Sequence, residues 1–367
     1  MATITLGIDL SKQLFSVCEL DAAGRVTQRR DLRRDAFATW LAQRPAGSIV
    51  AMEACSSAHH WARRCLEHGL QPRLIAAQFV KPFRKSQAAK NDRNDAEAIA
   101  TAARQGNMRF VPVKSVEQQA RLSWHRVREG YKAEALAASN RLRGLLSEFG
   151  VVIARSDAAL RRALVDERVR TTLPLELVQL IDELRSHWLL LNERIASHDA
   201  TIARHARNDE RCLRLQQVIG VGPLTADALV ATVGCARDFR NGRQLSAWLG
   251  LTPRQHSTGG KTRLGASSKR GDAYLRGLLV NGARSALQAA LRAAPDKATR
   301  LQLWMVGLAR RCGYQKALVA IANKHARMIW AMLARDERYD PEAWRRHART
   351  QPSDATGMPM PSAVGMS

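Results

Sequence analysis

A chain of 367 residues is long enough for two packed cores and a connector. Its Lys and Arg outnumber Asp and Glu by 58 to 33, a formal net charge of +25 that calls for a polyanionic partner and favours nucleic acid. No run approaches the roughly 18 apolar residues that span a bilayer, the N-terminal MATITLGIDLSK lacks a signal-peptide layout, and six cysteines stand without a CxxC pair. A membrane span, a zinc site and a disulfide framework are thereby excluded, and a cytoplasmic protein with reduced, mostly buried thiols is expected.

From the N-terminus to about residue 110 the sequence reads as an α/β domain. ITLGIDLS, FSVCELD and VTQRRDL are three β-rich runs in quick succession, joined by turns such as DAAG. A helix around Phe37 to Gln43, a strand in SIVAMEAC, a helix from about Ala58 to His68, a strand in PRLIAAQF and a helix from about Asn94 to Arg104 follow. An antiparallel meander followed by strand–helix alternation is the order of an RNase H-like sheet, and no GxGxxG follows the first strand as a dinucleotide-binding fold would require.

Two apolar runs of this domain end in an acid. Asp9 closes the run in GIDLSK and Glu53 the run in SIVAMEAC, where each carboxylate reaches the sheet's edge. Asp92 and Asp95 stand three apart at a helix start and share one face. Singly, each has a bland role as a helix cap or an arginine partner. Together they form an all-oxygen donor set suited to Mg²⁺ or Mn²⁺ beside phosphate, the chemistry of phosphodiester cleavage. His59 and His60, adjacent rather than three or four apart, read as surface residues.

Residues 111–207 show no convincing strand. Leu177, Ile181, Leu184, Trp188, Leu191, Ile195 and Ile202 keep the step of a heptad seam, with His198 in its one gap, and Trp124, Val127, Tyr131, Leu142, Leu145 and Phe149 suggest a second stripe. An antiparallel helical hairpin that breaks near Thr171, Thr172 and Pro174 is expected, packed on itself or building an oligomer.

Residues 208–345 read as a mostly α-helical, basic domain. LQQVIGVGPLTADALVATVG has the form of a helix-hairpin-helix, in which Gly220 and Gly222 let the backbone turn and leave amides for a DNA phosphate. GLTPRQHSTGGKTRLGASSKRGDAYLR has no apolar period. Blandly it is a solvated loop, with Ser267 or Ser268 capping the next helix. Chemically, Ser257 or Thr258 is a hydroxyl nucleophile beside Gly259 and Gly260, with Arg254, Lys261, Arg263, Lys269, Arg270 and Arg276 to hold phosphates. YQKALVAIANKHARMIWAML is a basic amphipathic helix whose Lys316, Lys324 and Arg327 contact nucleic acid or face solvent. Residues 346–367, rich in Pro, Gly and Ser, are expected to be a disordered tail.

The order strand-Asp, strand-Glu, helix-Asp-x-x-Asp resembles the RuvC-like fold of Holliday-junction resolvases. Over about Thr3 to Leu333 the chain more closely resembles the DEDD insertion-sequence transposases of the IS110 family, including its IS1111 branch. Their KTDRxDA motif stands here as Lys90-Asn91-Asp92-Arg93-Asn94-Asp95-Ala96, with Asn91 in place of Thr. The resemblance implies a recombinase whose C-terminal serine attacks DNA and becomes covalently linked to it. Counting back from Ser268-Lys269-Arg270-Gly271 assigns that serine to Ser257, and counting forward from Gly250-Leu251-Thr252-Pro253 lands on Thr258. It also implies a guide RNA that supplies sequence choice, and a dimer or tetramer in which the carboxylates of one subunit serve the serine of another. The alternatives are a resolvase-type endonuclease using metal-activated water, a sugar-kinase or actin-like ATPase, and a non-catalytic DNA-binding protein. The ATPase would need a second phosphate loop, which the sequence lacks.

Overall fold

The computed structural model describes residues 4–84, 92–294 and 296–341, so the expected tail lies outside the described residues. The chain forms two compact units. One runs to His205 and takes in Asp227–Asp238; the other holds Ala206–Ala226 and the chain from Phe239 onward.

The first unit opens with the meander β1 (Thr5–Asp9), β2 (Leu14–Leu20) and β3 (Val26–Arg33), then α1 (Arg34–Ala42), β4 (Ile49–Glu53), α2 (Ala58–Glu67) and β5 (Gln71–Ile75). After α3 (Ala77–Val80) and a 3-10 turn at Lys81–Phe83 come α4 (Asp92–Ala103) and the short β6 (Phe110–Val111). The strands form one sheet in the order β3-β2-β1-β4-β5-β6. β1 runs antiparallel to β2 and parallel to β4, β4 is parallel to β5, and β6 is antiparallel to β5.

Both faces of the central strands are covered, which is why β1 and β4 read as nearly unbroken apolar runs. On one face Leu6, Ile8, Phe15, Phe37 and Trp61 form a core, with Phe37 meeting Phe15 and Trp61 edge-on at 4.8 Å between ring centroids in each case. The other face receives α4 through Ala96, Ala98, Ile99, Ala100 and Ala103. These small residues bring the helix backbone so close that a Cβ built on Gly7 of β1 would stand 2.1 Å from the Ala96 carbonyl oxygen. Only glycine fits there.

The helical part of this unit holds α5 (Val116–Glu148), the short α6 (Asp157–Ala163) and α7 (Glu167–Arg170), and α8 (Leu175–Arg207). At 33 residues each, α5 and α8 are about 50 Å long. α5 begins in a capping box between Ser115 and Gln118. Leu142 and Leu146 of α5 pack with Leu160, Leu164, Ile181, Trp188 and Leu191, so most of the expected α8 seam is buried, with Leu184 and Ile195 partly so, and its break is a 26-residue passage (149–174) holding two small helices.

The α5 stripe differs from the expectation. Trp124, Val127 and Phe149 are exposed, and the buried positions in the helix's first half are Arg121, Leu122, His125 and Arg128. The turns carry charge because their partners do: Arg128 makes two hydrogen bonds to Asp199 of α8, and the ring of His198 lies against Trp124 and Tyr131, with centroids 4.8 and 5.3 Å away.

The remaining helices are α9 (Glu210–Leu215), α10 (Pro223–Val233), α11 (Gly242–Trp248), α12 (Ala273–Arg292), α13 (Arg300–Cys312) and α14 (Tyr314–Arg335). From Asp227 onward α10 belongs to the first unit, where the Asp227 carboxylate accepts from Arg121 and lies 2.8 Å from His125 Nε2. Burial pushes the Asp227 carboxyl up, but the hydrogen bonds and positive charges of His125 and Arg121 together hold the group below its ordinary value.

Several expectations are corrected. The Gly250–Arg276 segment is not simply a loop: it contains an antiparallel hairpin of β7 (Pro253–Gln255) and β8 (Leu264–Ser267). The cap of α12 is Asp272, whose side chain accepts from Leu275 N–H, while the Ser267 hydroxyl donates to the Gly250 carbonyl. The thiols are free, but only Cys18, Cys65 and Cys212 are buried; Cys55 and Cys235 are exposed. Among the described residues no helix is long and apolar enough to cross a membrane.

Candidate active site

Asp9 and Glu53 directly follow Ile8 and Met52, which are paired in register on the parallel neighbours β1 and β4. Both carboxylates therefore leave the sheet at the same edge. Asp92 and Asp95 occupy the first turn of α4, the helix seated on Gly7 two residues before Asp9. Asp92 is exposed and Asp95 is buried.

The four acids share one electrostatic neighbourhood. Burial, then the charges of Asp92, Asp95 and Glu53, push the Asp9 carboxyl up to about 6, against a partial offset from Arg84. Burial also raises Glu53, where Arg84 opposes the shift and Asp95 adds to it. The same edge raises the Cys55 thiol, through burial and the charges of Glu53 and Asp9.

Sequence reasoning missed the residues that hold this arrangement. Arg84 places Nη2 3.5 Å from Glu53 Oε1 and Nε 2.9 Å from Asp95 Oδ1. Arg93, inside the Asp92–Asp95 motif, donates from Nε and Nη2 to Asp31 of β3 at 3.0 and 2.6 Å, and Asp31 also accepts from Ser16 at 2.8 Å. Arg29 pairs with the buried Glu97. Two arginine–carboxylate pairs thus fasten α4 across the meander and fix where its acids point. The adjacent Lys90 and Asn91 lie outside the described residues.

The donor set suits a hard divalent cation, since all four groups offer carboxylate oxygen and their mutual repulsion is what such a cation relieves. Among the described residues, as placed, no three His, Cys, Asp or Glu side chains are grouped so as to hold one ion. Arg84 stands between two of the four. His59 is half-buried rather than a surface group: its Nδ1 accepts from the Lys114 N–H at 3.2 Å, and burial followed by nearby cations lowers it to about 4.

The second unit carries the other predicted residues. Ser257 and Thr258 are exposed at the end of the β7–β8 hairpin, with Gln255 Nε2 donating to Ser257 Oγ at 2.9 Å and Thr258 bridged to Lys261 through the backbone. Gly259 and Gly260 make the turn in the left-handed region, with open space where their side chains would stand. Arg254, Lys261, Arg263, Lys269 and Arg270 are exposed around it. Arg276 is partly committed elsewhere, donating to the Leu249 carbonyl at 3.2 Å.

Gly220 also differs from its expected part. A Cβ there would lie 2.2 Å from the Gly282 carbonyl of α12, so this glycine serves close packing, whereas Gly222 faces open space. Of the basic residues of α14, Lys316 and Arg327 are exposed, and Lys324 is half-buried with its ammonium 4.8 Å from the Trp304 ring centroid.

Residues 6–151 match the DEDD transposase domain of the IS110 type, and residues 212–298 match the transposase family IS116/IS110/IS902. A probable family 20 transposase of Pseudomonas aeruginosa is 47% identical over 92% of this chain and 98% of its own length. The transposase for insertion sequence element IS1111A of Coxiella burnetii is 40% identical over 91% of this chain and 90% of its own, and that for element IS1328 of Yersinia enterocolitica is 38% identical over 90% and 97%.

The chain belongs to the IS116/IS110/IS902 transposase family.

It is an insertion-sequence transposase, an enzyme that cuts and rejoins DNA. The two matched segments divide its candidate chemistry: the first contains all four carboxylates, the second the hydroxyl-bearing hairpin.

Proposed function

We propose that the transposase breaks and reseals DNA by a serine-based exchange, with Asp9, Glu53, Asp92 and Asp95 holding Mg²⁺ or Mn²⁺ and Ser257 as nucleophile. The gathering of the four acids at one edge of the sheet carries the reading: burial and then the charges of the other three raise Asp9, and a cation would relieve that repulsion. The meander followed by parallel strands in the order β3-β2-β1-β4-β5 supports a RuvC-like fold for this part. A bound divalent ion supplies Lewis-acid stabilisation of charge on the phosphoryl oxygens.

Ser257 suits the nucleophile's part because Gln255 donates to its oxygen, which leaves the hydroxyl proton to be given up. The serine hydroxyl gives its proton to solvent as its oxygen bonds to phosphorus, the bond from phosphorus to one deoxyribose oxygen breaks, and that oxygen takes up a proton. A hydroxyl of a second strand later reverses the exchange. One phosphodiester replaces another, so no energy source is needed. The open turn at Gly259 and Gly260 admits a DNA backbone, and Arg254, Lys261, Arg263, Lys269 and Arg270 offer phosphate contacts. The Gly220–Gly222 turn contributes through the Gly222 side, as one corner of a helix-hairpin-helix. A guide RNA that selects sequence, and a dimer or tetramer in which subunits share carboxylates and serine, complete the proposal.

The test incubates purified protein, with and without co-purified RNA, with labelled element-end DNA and Mg²⁺. A denaturation-resistant protein–DNA adduct that disappears in Ser257→Ala and persists in Thr258→Ala is expected. Loss only in Thr258→Ala moves the nucleophile by one residue. Undiminished cutting in both variants assigns the chemistry to water, as in a resolvase.

A further inference from the structure

Among the described residues, Arg84 is a cation whose ion pairs span two members of the acid cluster. Its guanidinium meets Glu53 of β4 on one side and Asp95 of α4 on the other, so one positive charge ties the sheet edge to the helix start. Neither contact is a strong directed hydrogen bond. The hydrogen bond to Glu53 is 3.5 Å long, and Nε, though 2.9 Å from Asp95 and buried, is not aligned for a hydrogen bond. The side chain is held by charge more than by directed bonding, and each carboxylate it touches has an oxygen turned toward it that a metal would need. Arg84 reaches the cluster from just after the 3-10 turn at Lys81–Phe83, so it belongs to neither the sheet nor α4.

We propose that Arg84 is the resident counter-ion of the carboxylate cluster, bridging Glu53 and Asp95 until a divalent cation displaces it. This rests on the reading of the four acids as a metal site. Arg84 then has two effects on metal entry. It prevents the four acids from repelling each other apart before the ion arrives, and it competes with the ion for Glu53 and Asp95.

The experiment titrates DNA-free, full-length protein with Mn²⁺ and reads free Mn²⁺ by electron paramagnetic resonance. Wild type, Arg84→Gln, Arg84→Lys and Asp92→Asn are compared, each checked for folding by circular dichroism. Arg84→Gln is expected to bind Mn²⁺ at least about tenfold more tightly, the low end of what one charge within about 4–6 Å does to a carboxylate's protonation equilibrium. Arg84→Lys keeps the charge and is expected to stay near wild type. Equal or weaker Mn²⁺ binding by Arg84→Gln, with a saturable site still lost in Asp92→Asn, overturns the counter-ion role and leaves the metal site standing. Absence of any saturable site sensitive to Asp92→Asn overturns both.

Discussion

Gly7→Ala tests whether the closeness of α4 to β1 builds the acid cluster. The added methyl carbon would stand 2.1 Å from Ala96 O, 2.5 Å from Ala100 N and 2.6 Å from Ala100 Cβ. Carbon contacts settle near about 3.5–4.0 Å, and two of these three obstacles are backbone, so the helix itself must retreat by roughly 1 Å. Overpacking a tight core costs about 1–3 kcal/mol, and a backbone obstacle puts this site at the upper end. For a unit of this size that lowers the melting temperature by about 2–4 °C per kcal/mol. Because α4 carries Asp92 and Asp95 and β1 carries Asp9, the same retreat separates the carboxylates, and a displacement of about 1 Å is enough to cost roughly 10²-fold in rate.

Differential scanning calorimetry and adduct formation on element-end DNA, run well below the melting point, read the two effects. Gly130→Ala, in the exposed interior of α5 with nothing within 4 Å, is the control and should stabilise by about 0.5–1 kcal/mol. A Gly7→Ala protein that melts with wild type and forms adduct at the wild-type rate would refute the argument.

Asp227→Ala leaves the guanidinium of Arg121 and the ring of His125 buried without their carboxylate, and urea unfolding should show a loss of about 3–5 kcal/mol. His325 is fully buried on α14, neither ring nitrogen has a hydrogen-bond partner among the described residues, and burial lowers it from 6.5 to about 4. The unfolded chain therefore binds the proton first, so stability should fall as pH drops from about 6.5 to about 4, by up to about 3 kcal/mol. Urea midpoints at several pH values should show this slope, and His325→Leu should reduce it. Removing divalent ions with a chelator, or replacing Asp92 by Asn, should lower adduct formation by about 10²–10³-fold, the scale of losing one charge-stabilising group, with Mn²⁺ restoring only the chelated wild type.

Much of this transposase was legible in its sequence because hydrophobic periodicity records which face of an element turns inward. The runs ending in Asp9 and Glu53, the Asp92–Asp95 spacing and the α8 seam are local patterns, and each appears in the structure at nearly its expected bounds. The hairpin that presents Ser257 was hidden, since β7 and β8 are only three and four residues long and almost wholly exposed, without a buried face to alternate.

What tertiary structure alone decided are the pairings between distant residues. Arg121 meets Asp227 across 106 positions and Arg93 meets Asp31 across 62, and no local pattern encodes which carboxylate a given arginine will find. The polar turns of α5 look like a broken seam until Asp227 and Asp199 supply the opposite charges. The acid cluster divides the same way. Its four members were named by sequence, but the raised Asp9, the Arg84 bridge and the Gly7 contact depend on burial and on charges summed over several elements, which exist only once the helix has settled on the sheet.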